Sequence, residues 1–517
     1  MRNYRRFKAK PLLGFAWFVL VQAACAAAPL DEVCWSAHGA SKNDTRLDPI
    51  RRKMQRTVAD GSAPSIAVSV ALEGRIIWEG ACGQADRDRS IRATPQTAYA
   101  VGSISKTFTA TGLMVLVERG LVDLGRSAND YLGPAKLTGL DGDPSAATVK
   151  LVMQHRAGLP MHANFFYENE KYRRPPMEET IRRYGILVRP PGEAYNYANL
   201  GYGILEYIIA RVSGSSYEDF MRREVFLPLG LTHTAVGPPP ELQGITAALY
   251  EDDRRLPNLD LDQRGAGYIY SSAHDLVRFG MFHLKEHRND QRQILKASTI
   301  ETMVNDASPT GTDTWAYGLG WDIHSNEYGS GLTSVRHTGA MAGAAAVLKL
   351  IPEKQIVVAV VSNSRRAGTV SLSEDIVAAL VPAYGKQRDL ESARNTEPSP
   401  EPFRPGVSLL GVWQGVVKTW KGELPVRMEI KPDGDIHIKL GDQLETVLND
   451  TEFSNGELSG SFQGAIPTED ADRDRHSVYL DRLVLRGETL SGAAIADGGA
   501  HYALPSWIKL VRQESKR

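Results

Sequence analysis

The sequence is poor in the residues that build metal and disulfide scaffolds. Its 517 residues include three cysteines, Cys25, Cys34 and Cys82, and twelve scattered histidines with no His-Glu-x-x-His. That excludes the usual zinc spacings, so neither a metal nor a cofactor is expected. Neither charge sign is in surplus, with 60 Lys+Arg against 61 Asp+Glu. A chain without a basic excess lacks the electrostatic footprint of a nucleic-acid binder. The apolar run at 12–21 is too short for a stable membrane span. No internal repeat recurs, which excludes a solenoid. What remains is ordinary soluble composition, 42% hydrophobic and 23% charged, in a chain long enough for two or more domains.

Residues 1–27 read as an export signal. Arg2, Arg5, Arg6, Lys8 and Lys10 form a charged region, the 12–21 run follows, and Ala23-Ala24-Cys25-Ala26-Ala27-Ala28 is a small-residue cleavage region. Pro29 argues against cutting directly after Ala28. Two alternatives stand beside this reading. One is an uncleaved anchor helix, and the other is a lipoprotein attached through Cys25, although Gln22 stands where such signals carry leucine. The protein is therefore expected in the periplasm or secreted, with no membrane span after cleavage. Cys34 and Cys82 would then remain, either as a disulfide in an oxidising compartment or as two separate buried thiols.

The chemistry gathers around Val101-Gly102-Ser103-Ile104-Ser105-Lys106. A serine and a lysine three apart on a helix share one face. Serine needs an adjacent base to act as a nucleophile. Lysine serves as that base when burial lowers its pKa. Only Ser103 has the lysine partner, because Phe108 stands three residues after Ser105. Ser-x-x-Lys alone also fits a plain helix start with an exposed lysine. Two further elements change that balance: Tyr197-Ala198-Asn199, after Arg189-Pro190-Pro191-Gly192-Glu193, and His337-Thr338-Gly339, opening a Gly/Ala-rich strand.

With these three elements the chain resembles the serine hydrolases related to class C β-lactamases and D-alanyl-D-alanine carboxypeptidases, whose motifs are Ser-x-x-Lys, Tyr-x-Asn and Lys/His-Thr-Gly. Tyrosine in the second motif makes the Ser-Asp-Asn enzymes a poorer match. Gln154-His155-Arg156-Ala157-Gly158-Leu159-Pro160 and Tyr317-Gly318-Leu319-Gly320-Trp321 agree with the resemblance, which covers residues 45–385. It implies that Ser103 forms an acyl-enzyme, that Lys106 holds its proton, and that Tyr197 shuttles a proton to the leaving group. For that shuttle, two nearby cations would have to lower the phenol's pKa. Asn199 would bond Lys106 and the substrate amide. His337, Thr338 and Gly339 would bind substrate, and the N–H groups of Ser103 and Ala340 would hold the oxyanion. Glycine at 339 would let the substrate approach the strand. The substrate, a small molecule or peptide, is left open: a D-amino acid peptide, a β-lactam or an ester. A penicillin-recognising sensor with slow turnover is the non-enzyme alternative.

The pattern of elements predicts an α+β fold, an antiparallel sheet packed against helices, and the resemblance implies that it is β-lactamase/transpeptidase-like. Strands are expected at 65–72, 75–79, 317–323, 334–337, 344–351 and 356–362. Helices are expected at 50–59, after Ser103, and at 149–154, 177–184, 200–213, 217–226, 276–283 and 373–380. Residues 82–97 and 165–176 read as polar loops. A linker follows at 386–405, with Thr396-Glu397-Pro398-Ser399-Pro400-Glu401-Pro402 at its centre. Beyond it, in 406–517, the apolar period changes to two: Val426, Met428 and Ile430, then Ile436, Ile438 and Leu440. Short strands with turns between them predict a small antiparallel barrel, read as a structural or substrate-gating accessory. Oligomeric state is not legible.

Overall fold

The computed structural model describes residues 34–35, 45–238, 242, 244–286, 289–394 and 403–513. The export signal, Cys25 and the proline-rich stretch 396–402 lie outside the described residues. No helix among the described residues is long and apolar enough to cross a membrane.

The first region is a ten-stranded antiparallel sheet covered by helices on both faces. Its middle joins the two ends of the region, because Ser65–Leu72 pairs with Ile356–Ser362. Outward on one side come Arg75–Asp86 and the short Cys34–Trp35. On the other come Ala344–Ile351, Ser334–Met341, Asp322–His324, Trp315–Tyr317 and Ser308–Thr312.

The central strands are apolar on both faces, as a covered sheet requires. Ile66, Val68 and Val70, with Val358 and Val360, pack with the helices Asp48–Ala59 and Thr369–Leu380. Ala67, Ala71, Val357 and Ala359 face the other way, into the core shared with the helices Ser105–Glu118 and Ala273–His283. On that face the helix lies close: a Cβ on Gly280 would stand 2.4 Å from the Val357 side chain. Ser272 caps the Ala273–His283 helix through the Asp275 N–H, which decides between the two expected caps.

Several elements differ from the sequence reading. The hairpin partner of 65–72 runs on to Asp86 and the chain pairs again at Ile91–Arg92, so 82–97 is not a plain loop. Residues 317–323 are not one strand. Gly318–Trp321 turn between Trp315–Tyr317 and Asp322–His324, because Gly320 adopts a left-handed φ of 90°. His337 does not open its strand but lies within Ser334–Met341, and the next strand starts at Ala344. The helix 217–226 ends its α-geometry at Met221 and continues as a π-turn, Arg222–Phe226. Helix Thr369–Leu380 is followed by another, Pro382–Arg394, which carries regular structure past residue 385.

The second region is a meander of antiparallel strands that bends round until its first strand, Gly411–Lys418, pairs with its last, Tyr502–Arg512. The barrel is nearly closed. It is interrupted between Thr446–Val447, which pairs with Ile436–Leu440, and Asn449–Ser454, which pairs with Glu457–Phe462. The period-two residues fill it: Val426, Met428, Ile430, Ile436, Ile438 and Leu440 are all buried. Leu483-Val484-Leu485 is not a separate strand. It continues Ser477–Arg486 past a bulge between Asp481 and Val484, which lets Leu480 and Leu483 both point inward.

The two regions are stitched together. Ala163–Tyr167, part of the expected polar loop, is a strand whose Ala163 and Asn164 pair with Ala503 and Tyr502 of the barrel. Its other edge pairs with Leu259–Leu261. Phe166 and Tyr167 point to opposite faces of this strand and both are buried, so the strand is covered on both sides at that end. Asp470 of the barrel accepts from Arg183 at 2.7 Å and from the Tyr184 hydroxyl at 2.5 Å.

Cys34 and Cys82 face each other across paired strands and are joined as a disulfide. Intact-mass analysis of unreduced, unfolded protein after alkylation is expected to show neither residue modified. Alkylation of both would refute the bond.

Candidate active site

Ser103 owes its position to a turn that only glycine permits. Val101 donates its N–H to the Ile269 carbonyl at 3.0 Å, and Gly102 then takes a left-handed φ of 51°. The chain enters a 3₁₀ turn, Gly102–Ile104, that runs into the helix Ser105–Glu118. Ser103 is half-buried on that turn, and Lys106 is fully buried one turn later. Ser105 points elsewhere and accepts the Ile269 N–H at 2.9 Å.

The Lys106 Nζ has three neighbours: Asn199 Oδ1 at 2.8 Å, the Ala266 carbonyl at 2.8 Å and Ser103 Oγ at 3.1 Å. Burial holds its pKa well below the usual lysine value, against the opposing pull of Asp322. A neutral amine has two N–H donors and one lone pair. Two of the three neighbours are carbonyl oxygens that can only accept. In its neutral form the amine would give its N–H groups to those two and turn its lone pair to the Ser103 hydroxyl. The rings of Tyr197 and Tyr202 flank the amine at 4.8 and 5.7 Å.

Tyr197 donates its hydroxyl to Ser103 Oγ at 2.8 Å. Its pKa is raised by burial, although the Ser103 bond works the other way. The expectation that two nearby cations would lower it is not met, because burial is the largest effect and raises it. Tyr197 is a phenol donor here.

The loop carrying Tyr197 is tied down by His155. The His155 carbonyl accepts the Asn196 N–H at 2.8 Å, and its Nδ1 accepts the Ala198 N–H at 3.1 Å. Its ring lies 4.4 Å from that of Tyr197. Burial, followed by the nearby Lys106, keeps the His155 pKa well below its usual value. Asn199, which opens the helix Asn199–Ser213, turns its Nδ2 to the His162 carbonyl at 3.1 Å, and this leaves Oδ1 aimed at Lys106.

The third motif meets the first backbone to backbone. A Cβ on Gly339 would stand 1.9 Å from the Val101 carbonyl and 3.1 Å from the Ser103 nitrogen, and one on Gly102 would stand 2.8 Å from the Ala340 nitrogen. The glycine at 339 therefore admits the turn that carries Ser103, a reason for glycine that the sequence did not show. The same contact brings the Ser103 and Ala340 backbones to one junction. Thr338 and Ala340 lie on the more open face of the strand.

His337 lies on the other face, 3% exposed. Its Nδ1 lies 2.7 Å from the Thr338 carbonyl, and its Nε2 lies 3.1 Å from the Tyr317 hydroxyl. Nδ1 therefore donates and Nε2 accepts. Burial lowers its pKa below the usual 6.5, with Asp322 opposing. Arg336, pointing away, is engaged by Glu327 at 3.0 Å. Among the described residues, no group of three or more His, Cys, Asp or Glu is arranged to hold a metal ion.

Three contributors escaped the sequence reading. Ala266 acts through its backbone carbonyl, which carries no signature. Tyr317 stood inside a quoted motif without a role. Asp322, the acidic neighbour of Lys106 and His337, falls just after that motif.

A serine bonded to a buried lysine and to a tyrosine, on a helix packed against an antiparallel sheet, places the protein in the serine-hydrolase class of β-lactamases and penicillin-binding proteins. The family model described as Beta-lactamase matches residues 50–381, and the chain belongs to that family. Protein flp of Staphylococcus aureus (strain N315) is 23% identical over 335 residues, 62% of this chain. The chain spans 64% of that curated relative's length. The octameric penicillin-binding protein homologue from Pyrococcus abyssi has a similar fold, with a TM-score of 0.56 and 21% identity, over 89% of this chain and 99% of that one. SurE, in a structure with D-Leu, gives a TM-score of 0.59 and 21% identity, also over 89% of this chain and 99% of its own.

Two variants test the geometry. Ser103→Ala is expected to abolish fluorophosphonate labelling, whereas Ser105→Ala keeps most of it; equal losses with no adduct mapped to Ser103 would contradict the assignment. Gly339→Ala forces a Cβ onto the Val101 carbonyl and should destabilise the fold by about 1–3 kcal/mol while slowing labelling. An unchanged melting temperature and labelling rate would show that the strand and turn are not in close contact.

Proposed function

We propose that the protein is an exported serine hydrolase that acts through an acyl-Ser103 intermediate on esters or D-amino acid amides. The observation that carries this reading is the buried Lys106 amine 3.1 Å from the Ser103 hydroxyl. Ser103 gives its proton to Lys106 as Oγ attacks the substrate carbonyl, and the C–O bond forms. The oxygen that gains charge is held by the N–H groups of Ser103 and Ala340. The leaving amine or alcohol takes its proton from Tyr197, which Lys106 reprotonates. Water then attacks the acyl group, and the same pair returns the proton to Ser103.

Substrate preference follows from charge. The motif position that in related β-lactamases carries a lysine, which attracts a substrate carboxylate, is here a buried, neutral His337. Arg336 is turned away, and Asp322 is nearby. This environment gives no long-range attraction for an anion. A structure of similar fold contains D-Leu, which accords with a D-amino acid substrate. A second reading, a penicillin-recognising protein that acylates and releases slowly, draws on the name of the Pyrococcus abyssi homologue.

Intact-mass spectrometry followed over time, with a fluorophosphonate and with a penicillin, separates these readings. A stable phosphonyl adduct on Ser103 is expected, with slow or absent penicillin turnover and faster hydrolysis of a short ester or D-amino acid amide. Cephalosporin hydrolysis at pH 7 as efficient as that of the best ester would overturn the preference. For a carboxylate substrate, binding should tighten only as pH falls through the lowered pKa of His337, where the imidazole gains its charge.

A further inference from the structure

The barrel reaches the loop that precedes Tyr197 through Arg482. The bulge in the strand Ser477–Arg486 puts Arg482 in a left-handed conformation, φ 50°. Its Nη1 donates to the Tyr195 carbonyl at 2.9 Å and approaches Asn196 Oδ1 at 3.5 Å. Tyr195 and Asn196 immediately precede Tyr197.

The guanidinium is itself fixed. Its Nε donates to Glu457 Oε2 at 2.5 Å, and Glu457 Oε1 accepts from Arg189 Nη1 at 2.5 Å. Arg189, almost fully buried, donates its other arm to the Arg482 carbonyl at 2.8 Å. A charged fork held by a carboxylate, aimed at a backbone carbonyl, is a stiff connection.

From the hydrolase side the same loop is held by the His155 carbonyl on the Asn196 N–H at 2.8 Å and by the Leu159 carbonyl on Asn196 Nδ2 at 3.0 Å. The tyrosine loop thus has two anchors, one from each region. The Tyr197 hydroxyl must stay within 2.8 Å of Ser103 Oγ, and small displacements of reacting groups are costly in rate.

We propose that Arg482 is a positioning residue: from the barrel, with Glu457, it holds the Tyr195–Asn196 backbone so that Tyr197 is presented to Ser103. The inference rests on the proposed acyl-Ser103 chemistry. It makes the barrel part of the catalytic unit, although no barrel side chain need touch the reacting atoms.

The test is a double-mutant cycle in the full-length protein, read as the rate of Ser103 labelling by a fluorophosphonate. Arg482→Ala should slow labelling about tenfold or more, and Glu457→Gln should slow it less. In a Tyr197→Phe background, Arg482→Ala should change the rate by less than about twofold, because its effect has already been spent. Arg486→Ala, which removes a neighbouring exposed pair with Glu193, should leave the rate unchanged. Full additivity of Arg482→Ala and Tyr197→Phe would overturn the proposal, as would a wild-type rate in a folded Arg482→Ala. Arg482→Lys, which keeps charge and bulk but loses the fork, should remain folded and slow, and a wild-type rate there would equally overturn it. Wild-type protein that never labels would instead remove the acyl-Ser103 reading beneath it.

Discussion

The proposed chemistry depends on keeping one amine uncharged. A lysine exposed to water is an ammonium with nothing to offer a serine. Lys106 is buried under two tyrosine rings and given two carbonyl acceptors, so its third valence is a lone pair. The cost is the desolvation of an amine, borne in a site where the charged form would be still less stable. Each neighbouring element serves this arrangement: the helix Asn199–Ser213 supplies one acceptor from its first residue, and the short helix Arg264–Gly267 supplies the other from its backbone. The same burial raises the Tyr197 pKa and lowers that of His337, which favours the uncharged form of each.

The second constraint is proximity of backbones. The nucleophile turn and the His337 strand touch where neither has a side chain, at Gly102 and Gly339. Because the sheet and the Ser105–Glu118 helix share one core, that junction is set by the packing of the whole region. The barrel adds its own support through the paired strand Ala163–Tyr167 and the Asp470 bonds to Arg183 and Tyr184.

Much of this was legible in the sequence for a physical reason. Lys106 sits one helical turn from Ser103, so spacing alone joined them. Tyr197 and His337 belong to short motifs whose roles travel with the family. Period-two apolar residues from Val426 to Leu440 announced the barrel strands. What was hidden depends on tertiary contact. The Ala266 carbonyl is a backbone group. The strand at Ala163–Tyr167 exists because the barrel pairs with it, and its own polarity reads as a loop. The bulge at Asp481–Arg482 left a trace, the out-of-phase pair Leu480 and Leu483, but only the fold shows that it aims Arg482 at Tyr195. The contact of Gly339 with the nucleophile turn was hidden for the same reason, since its neighbour lies more than two hundred residues earlier in the chain.

The central claim, an uncharged Lys106 in the resting protein, is open to direct measurement. The carbon-13 shift of the Lys106 Cε, assigned by its loss in Lys106→Arg, should titrate well below the usual lysine value of 10.5 and report a neutral amine at pH 7. An amine that stays charged from pH 7 to pH 9 would contradict the account.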